Sequence, residues 1–455
     1  MSENFTSNWG RPIFCWRIGP LLSFLTQRMT DKPLSSTRLA KTLRGRMPEG
    51  LSKLSGQWRE RLPSNAVSFK DIGIWSVLKQ AIGKDLTRIT IPIVYCEPLS
   101  FLQRLAEYLE YYALLSKASK CTDTLSRFEY ITAFVMSTLS SNNKRMTKPF
   151  NPLLFETYEL DRREQEGYRF VAEQVSHHPP VSAFHVEASN LEFSGTVSPR
   201  IRFWGVSVEI QTGGNFSLKL PQYNEIYTWD SVNCSIQNII FGDLRLVLEG
   251  TIQINSLSGI QAKIKIGKDG SQLFEGYIYK SDEKVKAFYG DWAKFMATCS
   301  VTNFEKKYKK WFETMKALDV NADEDVNNLL IDGSTVLWQS NPRPANSEKM
   351  YNFTNFTFLL NDPAFKFNNL PKTDSRFRPD IRLLEENLLD EAAEEKNRLE
   401  VKQREARENE EKNSIERLPR WFVKTKTKQG KIWLFNRKYW EHKMEYSEDI
   451  FCLDQ

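Results

Sequence analysis

Histidine, paired cysteine and long apolar runs are what this 455-residue chain has least of. Its six cysteines (15, 96, 121, 234, 299 and 452) are scattered, with no CxxC pair and no cysteine–histidine ligand spacing. That pattern fits free thiols in a reducing compartment and excludes a structural zinc motif. No apolar run reaches the ~18–20 residues that span a bilayer. The best early candidate, 13–25, is broken by Arg17 and Pro20 and lacks a small-residue cleavage site, so no signal peptide is expected. Enzyme signatures are missing too: no glycine-rich loop opens a helix, and there is no GxSxG elbow and no HExxH pair. There is no aromatic RNP-like block, so nucleic acid is not an expected partner. These absences point to a cytoplasmic protein that is not an enzyme, needs no cofactor or metal, and reaches membranes from outside.

What is present builds a core. Forty per cent of the residues are hydrophobic and 13% aromatic, and a net charge of +6 suits attraction to anionic membrane surfaces. Residues 1–70 read as a basic, poorly ordered arm, with Arg38, Lys41, Arg44, Arg46, Lys53, Arg59 and Arg61 facing few acids. Helical spacing predicts helices over 75–82, 99–115 (with Ser100 as N-cap) and 128–139, in an N-terminal helical part spanning 71–147. Between the first two, 86–93 is strand-like, interrupted by Pro92. From 148 to 301 the period changes to two. Runs such as 183–188, 225–229, 244–254 and 273–280 alternate with turn residues, which suggests an antiparallel barrel able to hold one apolar ligand. The C-terminal part, 302–455, begins with a helix over 304–315 and an acidic loop over 316–336. It continues in one long charged helix over 383–417 and ends in an aromatic segment that packs back onto the body.

Two of only four histidines stand side by side in EQVSHHPP, residues 173–180. The prolines that follow lack a backbone N–H and fix φ, and the first pushes His178 towards extended geometry. The result is a stiff turn presenting two imidazoles. Residue chemistry alone leaves open whether they satisfy local carbonyls or hold a ligand. Far downstream, Lys396, Glu400 and Arg404 recur every four residues and form one stripe on the charged helix, drifting about 40° per step.

EQVSHHPP resembles, without a gap, the signature of the oxysterol-binding-protein family of lipid-transfer proteins. A second block, KPFNPLLFETYE at 148–159, is similar to the family's KPFNPLLGETYE, with Phe155 where glycine is usual. MYNF at 350–353, LPKTDSRFRPD at 370–380 and the segment from Glu395 to Glu405 agree as well. The resemblance covers roughly 70–455, with spacing nearest to the short, sterol-associated members.

The resemblance implies an α+β fold: a large antiparallel β-barrel enclosing a lipid tunnel, with N-terminal helices and a C-terminal helical subdomain. It also implies that Lys148, His177, His178, Lys396, Glu400 and Arg404 hold a phosphoinositide headgroup. Asn151, in the turn with Lys148, is a candidate to bond a phosphate or a serine headgroup, or else to hold its own turn. Lys and Arg offer charge-assisted donors to a phosphomonoester carrying about −1.5 to −2 charges. Glu400 then orients the cations or accepts from an inositol hydroxyl. The partners implied are sterol and phosphatidylinositol 4-phosphate in membranes; the alternatives are transfer of phosphatidylserine or another phosphoinositide, or a sterol-responsive scaffold without net transport. In the family the segment before the barrel can act as a lid, so 1–70 is either a lid or a targeting arm. The implied location is the cytoplasm, peripherally at endoplasmic-reticulum, Golgi, endosomal or plasma-membrane contact sites.

Overall fold

The computed structural model describes residues 59–67 and 91–455, apart from 241–243, 268–269, 318–325, 364–368, 428–429, 447 and 453–455. The helix expected over 75–82, residues 86–90 of the expected strand, and most of the arm expected over 1–70 lie outside the described residues.

Alternating strands build one antiparallel sheet of fifteen. Its main path runs from Thr335–Gln339 through Phe295–Cys299, Glu283–Asp291, Leu273–Lys280, Ile260–Ile266, Arg245–Ser256, Glu225–Asp230 and Gly214–Leu220. It continues through Glu192–Val197, Pro180–Ala188 and Tyr168–His177 to Thr157–Arg162. Ile260–Ile266 shows the governing pattern, alternating buried and exposed along its length, as a sheet with one face on a core must.

Helix Thr124–Ser137, capped by Asp123 accepting from the Ser126 N–H at 2.7 Å, lies inside the curve of this sheet. Its Phe134 and Phe128 rings meet Phe193 and Tyr227 at 5.5 Å each, while Glu129 accepts from the Thr298 hydroxyl at 2.8 Å. Phe193 and Thr298 belong to strands far apart in sheet order. One helix can touch both only if the sheet wraps around it. Strands from both ends of the sheet accordingly share a single apolar cluster with the helices.

Several expected elements are corrected. The helix expected over 99–115 is split: strand Cys96–Ser100 leads into helix Phe101–Ala106, a 3-10 turn Glu107–Leu109, and helix Tyr112–Lys120. Ser100 sits at the N-cap as expected, its N–H donating to Gln103 Oε1 at 2.8 Å. After Pro92 the chain makes a 3-10 turn, Ile93–Tyr95, where the strand-like run was expected to finish. The single helix expected over 383–417 is two, Pro379–Glu385 and Leu389–Asn413. Asn387 stands between them at φ 61°, a left-handed position that asparagine tolerates and that ends a helix. Within 316–336, Val326, Leu329 and Ile331 are not loop residues in solvent but pack on helix Val301–Ala317. The described end of the basic arm, 59–67, is docked as well: Leu62 joins the main core and Arg59 Nη2 lies 2.5 Å from Glu385 Oε1. The aromatic end packs back as expected, with Trp421, Phe422 and Tyr439 on Val171, Val175 and Ala183.

Charges hold the N-terminal helical part. Arg145, fully inside, reaches Glu97 and Glu107 at 2.8 Å each, and Thr357 donates to Glu107 at 2.9 Å. Removing one partner of such a buried set leaves uncompensated charge, at a cost of ~3–5 kcal/mol. Arg145→Ala is therefore expected to lower unfolding free energy by about that amount; a denaturant titration showing a loss below ~1 kcal/mol would contradict it.

Candidate functional site

The KPFN turn and the histidine strand meet through the backbone. Lys148–Phe150 pairs in parallel with Cys96–Ser100, Cys96 opposite Lys148. The turn then reverses, and the Phe155 N–H donates to the Gln174 carbonyl at 3.0 Å while the Gln174 N–H donates to the Glu156 carbonyl at 2.9 Å. These bonds set the KPFN turn beside the end of strand Tyr168–His177. Phe155 has φ 67°, so the position where the family usually has glycine does require left-handed backbone, which costs a residue with a Cβ about 1–2 kcal/mol. Its ring is not idle: the Arg417 guanidinium lies 5.3 Å from its centroid.

The long helix Leu389–Asn413 is laid across this turn by Leu399, buried against Leu153, and by Gln403, whose Oε1 accepts from the Leu154 N–H at 3.3 Å. From behind, Arg398 donates to the Phe451 carbonyl at 2.9 Å and Lys402 to the Cys452 carbonyl at 3.0 Å. Lys396 donates to Glu400 Oε1 at 2.7 Å, with the lysine side chain only 11% exposed.

The structure brings Lys148, His177, His178, Lys396 and Glu400 into one electrostatic neighbourhood. The two imidazole centroids are 4.7 Å apart, edge to face. The Lys148 ammonium is half-buried and its Nζ lies 3.4 Å from the Pro149 carbonyl. Burial holds its pKa below the usual lysine value, with Lys396 and Arg378 pushing the same way and Cys96 and Glu400 pulling it back. Burial likewise lowers His177 to about 4, helped by His178 and Arg407 and opposed by the Pro152 backbone and Glu400. His177 is thus neutral near pH 7, and its Nδ1 is buried without a hydrogen-bond partner. Crowded cations and an unfilled ring nitrogen suit an anion: a bound negative charge would raise every one of these depressed values.

Asn151 is exposed, and its backbone carbonyl accepts from Arg378 Nη1 at 2.9 Å, which anchors the turn. Arg404 is exposed on the helix. Measured from Lys396 at about 100° per residue, Glu400 lies near +40° and Arg404 near +80°, whereas Gln403 and Arg407 lie near −20° and +20°. The helix therefore turns Gln403 and Arg407 towards the histidine turn more directly than Arg404. Stepping by seven and eleven from Lys396, in place of four and four, would have found both in the sequence. Among the described residues, no three His, Cys, Asp or Glu side chains cluster as metal ligands, and no helix is long and apolar enough to cross a membrane.

A wrapped antiparallel sheet with a cationic, histidine-bearing turn beside its end defines a lipid-binding class of protein. Residues 73–444 match the family model described as oxysterol-binding protein, and the chain belongs to that family, which is lipid-binding and non-enzymatic. It is 40% identical over 428 residues to human oxysterol-binding protein-related protein 1, covering 89% of this chain and 45% of that protein. The chain thus spans less than half the length of this relative. The Osh1 ORD domain solved in complex with cholesterol superposes with a TM-score of 0.74 at 33% identity, covering 90% of this chain and 97% of that one. The Saccharomyces cerevisiae Osh3 ORD, solved in complex with PI(4)P, gives 0.69 at 32% identity, covering 88% and 99%.

The depressed His177 value has a signed consequence. Its folded pKa, about 4, lies below the ordinary 6.5, so on acidification the unfolded chain takes up a proton that the folded one refuses. Stability is therefore lost as pH falls through 6.5 towards 4. His177→Ala should flatten that decline, with the two proteins diverging by on the order of 1–3 kcal/mol at the acid end. Parallel stability–pH curves would show that His177 is not held neutral.

Proposed function

We propose that this protein transfers lipid between membranes, binding a sterol or phosphatidylinositol 4-phosphate one at a time and exchanging them. Lys148, His177, His178, Lys396 and Glu400 grip the phosphorylated headgroup, with Arg404 at the rim and Asn151 shaping the turn. The observation that carries the reading is the buried, unpartnered His177 Nδ1, which feels Arg407 and Glu400, the same Glu400 that acts on Lys148 and bonds Lys396. Two solved relatives support the pair of ligands, one holding cholesterol and the other PI(4)P.

The chemistry is that of binding. Lys148 and Lys396 supply point charges, and each charge-assisted bond to phosphate is roughly twice as strong as a neutral one. Glu400 holds the Lys396 ammonium in place or accepts from an inositol hydroxyl. An imidazole next to the phosphate takes up a proton more readily, which turns His177 into a donor only when the anion is present. A sterol presents no such charge and gains instead from burial of its rings at ~25 cal/mol/Å². The cationic surface would meet the cytosolic face of membranes at contact sites, with residues 1–70 as lid or targeting arm.

Extraction from liposomes tests the reading. His177→Ala/His178→Ala should reduce uptake of labelled phosphatidylinositol 4-phosphate at least tenfold and leave sterol uptake within about twofold, a difference of ~1.4 kcal/mol or more in headgroup affinity. Undiminished phosphoinositide uptake by the double variant would overturn the headgroup assignment.

A further inference from the structure

We infer that Gln403 is a further headgroup ligand, donating an N–H of its side-chain amide to a phosphate oxygen of the phosphoinositide. The inference rests on the headgroup reading above and adds to it a residue that the four-residue stripe passes over. Gln403 lies on helix Leu389–Asn413, half-buried. Its Oε1 is 3.3 Å from the Leu154 backbone nitrogen. A backbone N–H can only donate, so the acceptor end of the amide must face Leu154, and this fixes which way the NH2 group points. That NH2 nitrogen, Nε2, is buried and has no hydrogen-bond partner. A buried donor left unmade is costly, and native structures rarely keep one without a reason.

The reason is close by. His177 interacts with the Pro152 backbone and Gln403 with the Leu154 backbone, so both side chains flank the same short stretch of the KPFN turn. His177 Nδ1 is the other buried polar atom of the site without a partner. Two buried, unpartnered nitrogens bordering one turn, which begins at Lys148 with Lys396 in its field, call for a ligand rich in acceptor oxygens and negative charge. A phosphorylated headgroup has that chemistry; a sterol hydroxyl supplies a single weak acceptor. Gln403 thereby links two tasks. Its oxygen holds the helix on the turn, and its nitrogen reads what the turn binds.

Gln403→Glu separates the tasks, since a carboxylate still accepts from the Leu154 N–H but sets a negative oxygen where the donor was. Gln403→Met removes both bonds at similar volume. Both variants and His177→Ala/His178→Ala are compared with the wild type in liposome extraction of phosphatidylinositol 4-phosphate and of sterol, with thermal unfolding followed alongside. The ratio of phosphoinositide to sterol uptake should fall at least tenfold for Gln403→Glu and several-fold for Gln403→Met. An unchanged ratio in both, while the histidine variant still loses the phosphoinositide, would overturn the role of Gln403 alone. Equal loss of both lipids with a lowered unfolding temperature would mark Gln403 as purely structural and overturn it too. Normal phosphoinositide uptake by the histidine variant would instead remove the headgroup reading on which the inference stands.

Discussion

The carboxylate of Glu156 is the constraint on which the site depends. It is fully buried and accepts from the Ser100 hydroxyl at 2.5 Å, the Ser375 hydroxyl at 2.6 Å, Arg378 Nη1 at 2.8 Å and the Leu153 N–H at 2.9 Å. Its own turn and two segments distant in sequence, at Ser100 and at 375–378, converge on it. Arg378 in turn bonds Asp380 at 2.7 Å, at the start of helix Pro379–Glu385, and the Asn151 carbonyl. The turn bearing Lys148 and the approach to the helix bearing Lys396 are therefore braced through one ion set. An isolated carboxylate could not be buried there; three neutral donors and a guanidinium make it tenable.

That brace explains how cations can be crowded at the turn without spreading apart. Burial lowers the Lys148 pKa, and the Lys396 ammonium adds to that effect. In water the two side chains would swing away from one another. Here the backbone of the turn is tied from beneath by Glu156, and Leu399 and Leu153 close the gap apolarly. A turn braced in this way would not need ordering by an anion that bound there. Phe155 fits this picture: a residue forced into left-handed backbone persists only where its surroundings over-determine it, and Arg417 on its ring is part of those surroundings.

Much of this was legible in the residues. Period-two runs located the sheet, and EQVSHHPP and KPFNPLLFETYE located the two loops that meet. Helix interruptions were less legible. Nothing in the charge pattern of 383–417 announces a break, because Asn387 acts through a local left-handed conformation that a helical repeat does not encode. The stripe at 396, 400 and 404 passes over two nearby residues for a related reason. Three residues at equal four-residue steps look collinear in sequence, but an α-helix advances 3.6 residues per turn, so each step drifts about 40° and Gln403 and Arg407 lie nearer the direction of Lys396 than Arg404 does. Glu156 and Arg378 lay in blocks that the family resemblance singled out, yet their pairing spans 222 positions and follows only from the fold.

The central claim is that a charged headgroup and a sterol compete for one protein, the first held by the braced cationic turn and the second by apolar burial. The most direct measurement loads the protein with a fluorescent sterol and titrates in vesicles containing phosphatidylinositol 4-phosphate, following retained sterol and acquired phosphoinositide together. The account predicts that each phosphoinositide taken up displaces one sterol. Uptake of phosphoinositide with the sterol still bound would contradict it.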